Sequence, residues 1–192
     1  MSELANSSNY PRVVVIGSTA VGKTTLIGRI VENQFNDNTQ PTTGTTFYVY
    51  QTGNPQKPAI QIWDTAGMER FRSINKNFYR DAIAALICFD LTSYDSFKAL
   101  DSWHKEFITE AAPNPILILV GTKNDLSDDF QIEDEEIENY ASKNGFKYFS
   151  TSSKTGDGVQ PMLDCLIQML PEFDDNVTTN VIVQDEEKKS CC

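Results

Sequence analysis

The chain has 192 residues, 40% of them hydrophobic, a formal net charge of −11 and one histidine. That length suits one domain with a tail and buries roughly 70% of the unfolded surface, so no disulfide or metal staple is required. The acidity excludes a nucleic-acid backbone as partner, and a lone His104 excludes any site built on two His ligands.

The N-terminus, Met1 to Asn9, is rich in Ser and Asn and has neither a basic nor an apolar stretch, so it reads as a disordered extension over residues 1–10 and not as a signal peptide. Ser2 stands where myristoylation requires Gly. Val13 to Ile16 is a short apolar run of the kind expected for a strand buried on both faces. Gly17-Ser18-Thr19-Ala20-Val21-Gly22-Lys23-Thr24 follows and fits G-x-x-x-x-G-K-[ST]. Its glycines let the backbone wrap closely around phosphate oxygens, and successive N–H groups and the next helix's dipole then face the anion. Lys23 is expected to neutralise β- and γ-phosphates and the Thr24 hydroxyl to ligate Mg²⁺, with Thr25 beside it. Leu26, Ile27, Ile30 and Val31 form the apolar stripe of the following helix.

Thr45 to Thr52 is β-prone and precedes Gly53-Asn54-Pro55, which predicts a hairpin with an edge strand pairing onto Ala59 to Trp63. Asp64-Thr65-Ala66-Gly67 then falls at a strand's carboxyl end, where parallel sheets bind ligands. Asp64 is expected to hold Mg²⁺ through a water, and the Gly67 N–H to reach a γ-phosphate. Ala84 to Phe89 reads as the next strand, and Phe97, Leu100, Trp103, Phe107 and Ile108 as one helical stripe, with His104 a surface or packing residue.

Ile116 to Val120 is a strand ending at Thr122-Lys123-Asn124-Asp125, and Tyr148-Phe149 one ending at Thr151-Ser152-Ser153-Lys154. The carboxylate of Asp125 can accept hydrogen bonds from the N1–H and 2-amino groups of guanine; adenine offers no such arrangement. The Lys123 stem can lie along the base and the Ser153 N–H donate to O6. Between these loops, Asp125 to Glu138 carries eight acids and no basic residue, which reads as a solvated helix face. Met162, Leu163, Leu166, Met169 and Leu170 form the last helical stripe, after Pro161 in the first turn. Cys88 and Cys165 read as buried small hydrophobes, and no cysteine spacing suggests a disulfide framework, which fits a reducing compartment. From Asp174 on there is no periodicity, so the tail reads as disordered.

The pattern specifies an α/β fold: a three-layer P-loop NTPase sandwich with a mainly parallel six-stranded sheet, one antiparallel edge strand and helices on both faces. At these motifs the sequence resembles a small GTPase of the Ras superfamily, most closely its Rab branch, from about Arg12 to Pro171. Trp63 to Gly67 followed by Glu69-Arg70-Phe71 and Phe78-Tyr79-Arg80 is similar to Rab switch II, and the final Cys191-Cys192 is similar to a double prenylation signal. The resemblance implies a G domain over 11–173 and a prenylated tail over 174–192. It implies a nucleotide site made of Gly17 to Thr25, Phe35, Thr42, Asp64, Gly67, Thr122, Lys123, Asp125 and Ser152 to Lys154. Phe35 would pack on the guanine edge, and Thr42 would sense γ-phosphate and share Mg²⁺ with Thr24 and Asp64. Lys23, Thr42, Gly67 and position 68 would serve hydrolysis.

It further implies effectors, an exchange factor, a GTPase-activating protein and a GDP-dissociation inhibitor or escort as partners of a monomer. Two prenyl groups would hold it to the cytosolic face of an intracellular membrane, with a cytosolic pool. Three departures stand out. Met68 replaces the usual water-orienting Gln, Thr122 replaces the usual Asn, and Thr43, Thr45 and Thr46 replace residues of the expected effector surface. Slow hydrolysis is therefore expected, and a non-cycling GTP-bound membrane scaffold is the alternative. A P-loop kinase or ATPase would need an arginine-rich lid, and no such segment appears.

Overall fold

The computed structural model describes residues 10–37, 40, 42, 44–66 and 77–172. Its elements in chain order are β1 (Arg12–Gly17), α1 (Lys23–Glu32), β2 (Thr46–Tyr50), β3 (Ile60–Asp64), β4 (Ala84–Asp90), α2 (Tyr94–Lys98), α3 (Leu100–Glu110), β5 (Ile116–Thr122), a 3₁₀ turn (Ser127–Asp129), α4 (Asp134–Asn144), β6 (Lys147–Ser150) and α5 (Val159–Met169). The strands form one sheet in the order β2-β3-β1-β4-β5-β6. β2 runs antiparallel to β3, with Thr46 opposite Asp64 and Tyr50 opposite Ile60. The β1–β3, β1–β4, β4–β5 and β5–β6 pairs are parallel.

Side-chain alternation explains the unbroken apolar runs. On β1, Val13 and Val15 pack on one face with Leu26 and Ile27 of α1 and Met162, Leu163 and Leu166 of α5. Val14 and Ile16 pack on the other with Phe97 of α2, Trp103 and Phe107 of α3 and Ile137 of α4. Both faces need apolar residues, so no polar position interrupts the strand. β1 and β4 are neighbours, and the connections that follow them run to opposite sides of the sheet, toward β3 and toward β5, which makes their carboxyl ends the switch point where such sheets take ligands.

Four local expectations need correction. The edge strand is shorter than Thr45 to Thr52, because pairing with β3 covers only Thr46–Tyr50. The Phe97–Ile108 stripe is divided at Ala99, which keeps helical torsions (φ −75, ψ −10); Ile108, at 47% exposure, lies off the buried face. Met169 also faces outward, and Cys165 is only partly covered, where the sequence suggested burial. Cys88 is buried as expected, and desolvation pushes its thiol up to about 12, which leaves it an inert packing group. In the acidic stretch, Asp134, Glu135 and Glu136 occupy the first turn of α4, where carboxylates complement the helix dipole, while Ile137 and Ala141 face the core.

Candidate nucleotide-binding site

The β1–α1 turn follows from its glycines. Gly17 has φ 143 and a Cβ there would stand 2.2 Å from the Cys88 carbonyl oxygen, so only glycine fits against β4. Gly22 caps α1 in the left-handed region, with φ 92. No side chain caps this helix end, so its first-turn N–H groups are uncommitted to the chain. Lys23 is buried beneath the turn, and its ammonium donates to the carbonyls of Gly17 (3.0 Å) and Ser18 (2.8 Å). Burial holds its pKa below the usual lysine value, against the opposing fields of Cys88 and Asp64. An anion in front of the turn would relieve that desolvation. Behind it, the buried Trp103 indole donates to Ser18 Oγ (3.3 Å).

Next to the turn, three oxygens meet. Thr24 Oγ1 donates to Asp64 Oδ2 at 2.8 Å, and Thr42 Oγ1 lies 2.9 Å from Thr24 Oγ1. Asp64 Oδ1 is buried and has no hydrogen-bond partner among the described residues. Desolvation raises the Asp64 pKa, with the Thr24 hydrogen bond opposing it most. One carboxylate and two hydroxyls make a hard-oxygen set with an unsatisfied acceptor, which fits a Mg²⁺ ion completed by phosphates and water.

A cavity of about 420 Å³ opens from this corner. Thr19, Ala20 and Gly22 to Thr25 line one end; Phe35, Asn36, Asp37, Gln40 and Thr42 line a side; Thr122, Lys123, Asp125, Leu126, Ser153 and Lys154 close the far end. The three loops singled out in the sequence therefore meet in one space. Gly17, Ser18, Val21, Asp64 and Ser152 are not on the cavity wall but support it from behind. Ser152, fully buried, donates through Oγ to Asp125 Oδ1 (2.6 Å) and fixes the carboxylate that faces the cavity. Gly67, Met68, Cys191 and Cys192 lie outside the described residues.

Thr122, the substitute for the usual Asn, is buried, with its hydroxyl 2.6 Å from the Val21 carbonyl and 2.8 Å from that of Phe89. A single hydroxyl thus joins the phosphate turn to the far loop. Lys123 takes a left-handed conformation (φ 62), and its ammonium is held by Asp90 Oδ2 at 2.5 Å, while Asp90 Oδ1 accepts from the N–H and hydroxyl of Thr92. The Lys123 stem lines the cavity and its charge is committed beyond it. Sequence reasoning missed Asp90, although a polar residue closing an apolar strand run was a usable signal. It also missed Arg29, which donates to the Ser153 and Lys154 carbonyls.

An aromatic row lies on the antiparallel edge. Phe47 stacks on Trp63 (4.9 Å) and Trp63 meets Phe78 (5.3 Å). The Arg12 guanidinium sits 4.8 Å from the Trp63 ring centre and donates to the carbonyls of Phe78 and Arg80. Gln61 accepts from the Trp63 indole (3.0 Å). Phe47 is 40% exposed, so the row presents apolar surface to solvent on a braced base.

The raised Asp64 pKa fixes a sign. The folded chain holds this proton more tightly than the unfolded one, so stability falls as pH rises from the ordinary carboxylate range through the folded value. Asp64→Asn in nucleotide-free protein should raise the melting midpoint at neutral pH by about 2–4 °C, equivalent to ~1 kcal/mol for a chain this size. It should also flatten that pH dependence. Thermal melts across pH 4–8 check it; an unchanged or lower midpoint contradicts the assignment of Asp64 as a carboxylate whose burial outweighs its hydrogen bonds.

A family model described as the Ras family matches residues 12–172. The chain is 36% identical over 171 residues to Ras-related protein Rab-27B of Rattus norvegicus, covering 83% of this chain and 78% of that protein. It is 34% identical over 171 residues to Ras-related protein Rab-30 of Homo sapiens, covering 88% and 84%. Its 32% identity to Ras-related protein RABF2b of Arabidopsis thaliana runs over 199 aligned positions and all of both chains. With the phosphate turn, the far loop and the six-stranded sheet already in place, these matches make the chain a member of the Ras family, a Rab-like small GTPase.

Proposed function

We propose that the chain is a guanine-nucleotide-dependent membrane switch in which residues 11–173 form the G domain and the cavity takes GTP or GDP. One observation carries this reading: a single cavity runs from an uncommitted helix N-terminus to a carboxylate fixed by Ser152. The first suits phosphate and the second suits the N1–H and 2-amino edge of guanine. Ser152 takes only one of the lone pairs of Asp125 Oδ1, so the carboxylate keeps acceptors for both base donors. Phe35 and Leu126 supply apolar walls for the ring. Ser18 to Thr25 donate to the phosphates, and Lys23 turns its charge from the Gly17 and Ser18 carbonyls to their oxygens.

Thr24, Thr42 and Asp64 would hold Mg²⁺, which when bound neutralises charge on the phosphate oxygens. In hydrolysis a water oxygen bonds to the γ-phosphorus as the bond to the β–γ bridging oxygen breaks, and the water's proton ends on the released phosphate. Gly67 would donate to the γ-phosphate. Met68 has a weakly accepting thioether and no N–H, so it supplies no group that orients the water. Intrinsic turnover is then slow, and an activating protein supplies what is missing. The same residue favours the second reading, a scaffold that stays GTP-bound.

Thr42 links the phosphate end to the effector side, since losing γ-phosphate removes its partner and frees the loop. The braced row Phe47, Trp63 and Phe78 supports an effector surface for this chain. Among the described residues no helix is long and apolar enough to cross a membrane. Cys191 and Cys192, both prenylated, would anchor the chain on the cytosolic face of an intracellular membrane. The segment from Asp174 to Ser190 has 17 residues. The exchange factor, activating protein and escort follow from the family.

Labelled GTP and GDP should bind with Mg²⁺ dependence and resist ATP competition; failure of either sinks the assignment. Single-turnover phosphate release should rise at least about tenfold on Met68→Gln, and an unchanged rate shows that position 68 does not limit hydrolysis. Phe47→Ala should reduce protein capture by the GTP-loaded form about tenfold, with nucleotide dissociation unaltered; equal capture removes the aromatic row from the effector surface. Replacing Cys191 and Cys192 by Ser should move the protein from the membrane pellet to the supernatant, and continued pelleting refutes the lipid tether.

A further inference from the structure

Arg29 lies in the last turn of α1 and is not on the cavity wall. Its guanidinium nonetheless makes four hydrogen bonds. Nε donates to the Ser153 carbonyl (2.7 Å) and Nη2 to that of Lys154 (3.0 Å). Nη1 donates to the carbonyl (2.9 Å) and Oδ1 (3.2 Å) of Asn33. Asn33 is the left-handed residue (φ 52) that ends α1, two positions before Phe35. Ser153 and Lys154 belong to the loop between β6 and α5. Both Phe35 and that loop line the cavity. Among the described residues no other hydrogen bond joins α1 to the β6–α5 loop.

We infer that Arg29 is a positioning residue for the base pocket: one planar fork clamps the turn carrying Phe35 to the loop carrying Ser153, and so fixes the gap into which the guanine ring slides. The inference rests on the nucleotide reading above. The guanidinium suits this task because its donors diverge in one plane and reach carbonyls on two sides at once. A lysine ammonium at the same place carries the charge but cannot span both loops. Without the clamp, the two walls keep only the apolar packing of α1 against α5 and their links through the sheet, and the base loses its enclosure while the phosphate turn, held by Lys23 and Thr122, is untouched.

The test is GDP dissociation from protein loaded with fluorescent GDP in excess Mg²⁺, for Arg29→Lys and Arg29→Met. Both should release GDP about tenfold faster or more. A general loosening of the fold would give the same acceleration, so the deciding readout is a pair of double-mutant cycles. Combined with Phe35→Leu, the acceleration should fall well short of the product of the single effects, because both substitutions open the same wall. Combined with Thr25→Ala at the phosphate end, it should equal the product. Should Arg29→Met fail to fold, Asn33→Gly keeps the left-handed turn and removes only the side-chain acceptor, and should accelerate release about two- to threefold. Wild-type release from Arg29→Lys, or multiplicative behaviour with Phe35→Leu, overturns the clamp. Failure of wild-type protein to retain GDP in Mg²⁺ overturns instead the nucleotide reading on which it rests.

Discussion

At the carboxyl end of β1 the fold buries a lysine and a carboxylate that do not neutralise each other directly. Lys23 is held by two carbonyls, and one oxygen of Asp64 has no partner among the described residues. Desolvation opposes the charged form of both. Such groups are costly, and they persist because the surrounding sheet over-determines them: β1 is paired on both edges and packed on both faces. A polyanion with a divalent ion would satisfy both at once. Everything else in the site extends from that corner.

Two kinds of support carry the extension. Buried hydroxyls do the short-range work. Thr122 joins the phosphate turn to the base loop, and Ser152 fixes the Asp125 carboxylate. Charged side chains do the long-range work from outside the cavity. Asp90 fixes the Lys123 ammonium, Arg29 spans the base walls, and Arg12 braces Trp63 from below while holding the chain at Phe78 and Arg80. Each of these three reaches a distant segment, and none is itself placed to touch a nucleotide. In an acidic protein, the basic residues near the cavity are thus divided between facing a ligand and shaping the wall.

The Thr122 departure illustrates how the site absorbs substitution. An amide has two donors and an acceptor, whereas a hydroxyl has one donor. Here both carbonyls lie within reach of one oxygen, at 2.6 and 2.8 Å, so its single proton is shared between them and the shorter side chain still ties the two segments together. Met68 has no comparable remedy, because orienting a water needs a polar group that a thioether lacks. On the function proposed above, nucleotide binding and water orientation are separable because the residues for them reside on different loops.

The strands were legible because burial on both faces forces apolar runs, and the phosphate turn because glycine, lysine and threonine are required there by backbone reach and charge. The convergence of that turn with Thr122 to Asp125 and Ser152 to Lys154 also followed from strand order, since parallel strands bring their carboxyl ends to one edge. Boundaries such as the break at Ala99 and the outward turn of Ile108 and Met169 were not legible, because an apolar stripe fixes a helix face but not where its packing stops. The supports were hidden for a different reason. Arg29 and Arg12 bond to backbone carbonyls, and every residue carries one, so no residue type at position 78, 80, 153 or 154 announces the partner. The amino-acid order alone thus picked out the loops that meet at the cavity, where chemistry dictates the side chain. Only the packed chain decided which groups hold those in place, where any carbonyl at the right distance serves.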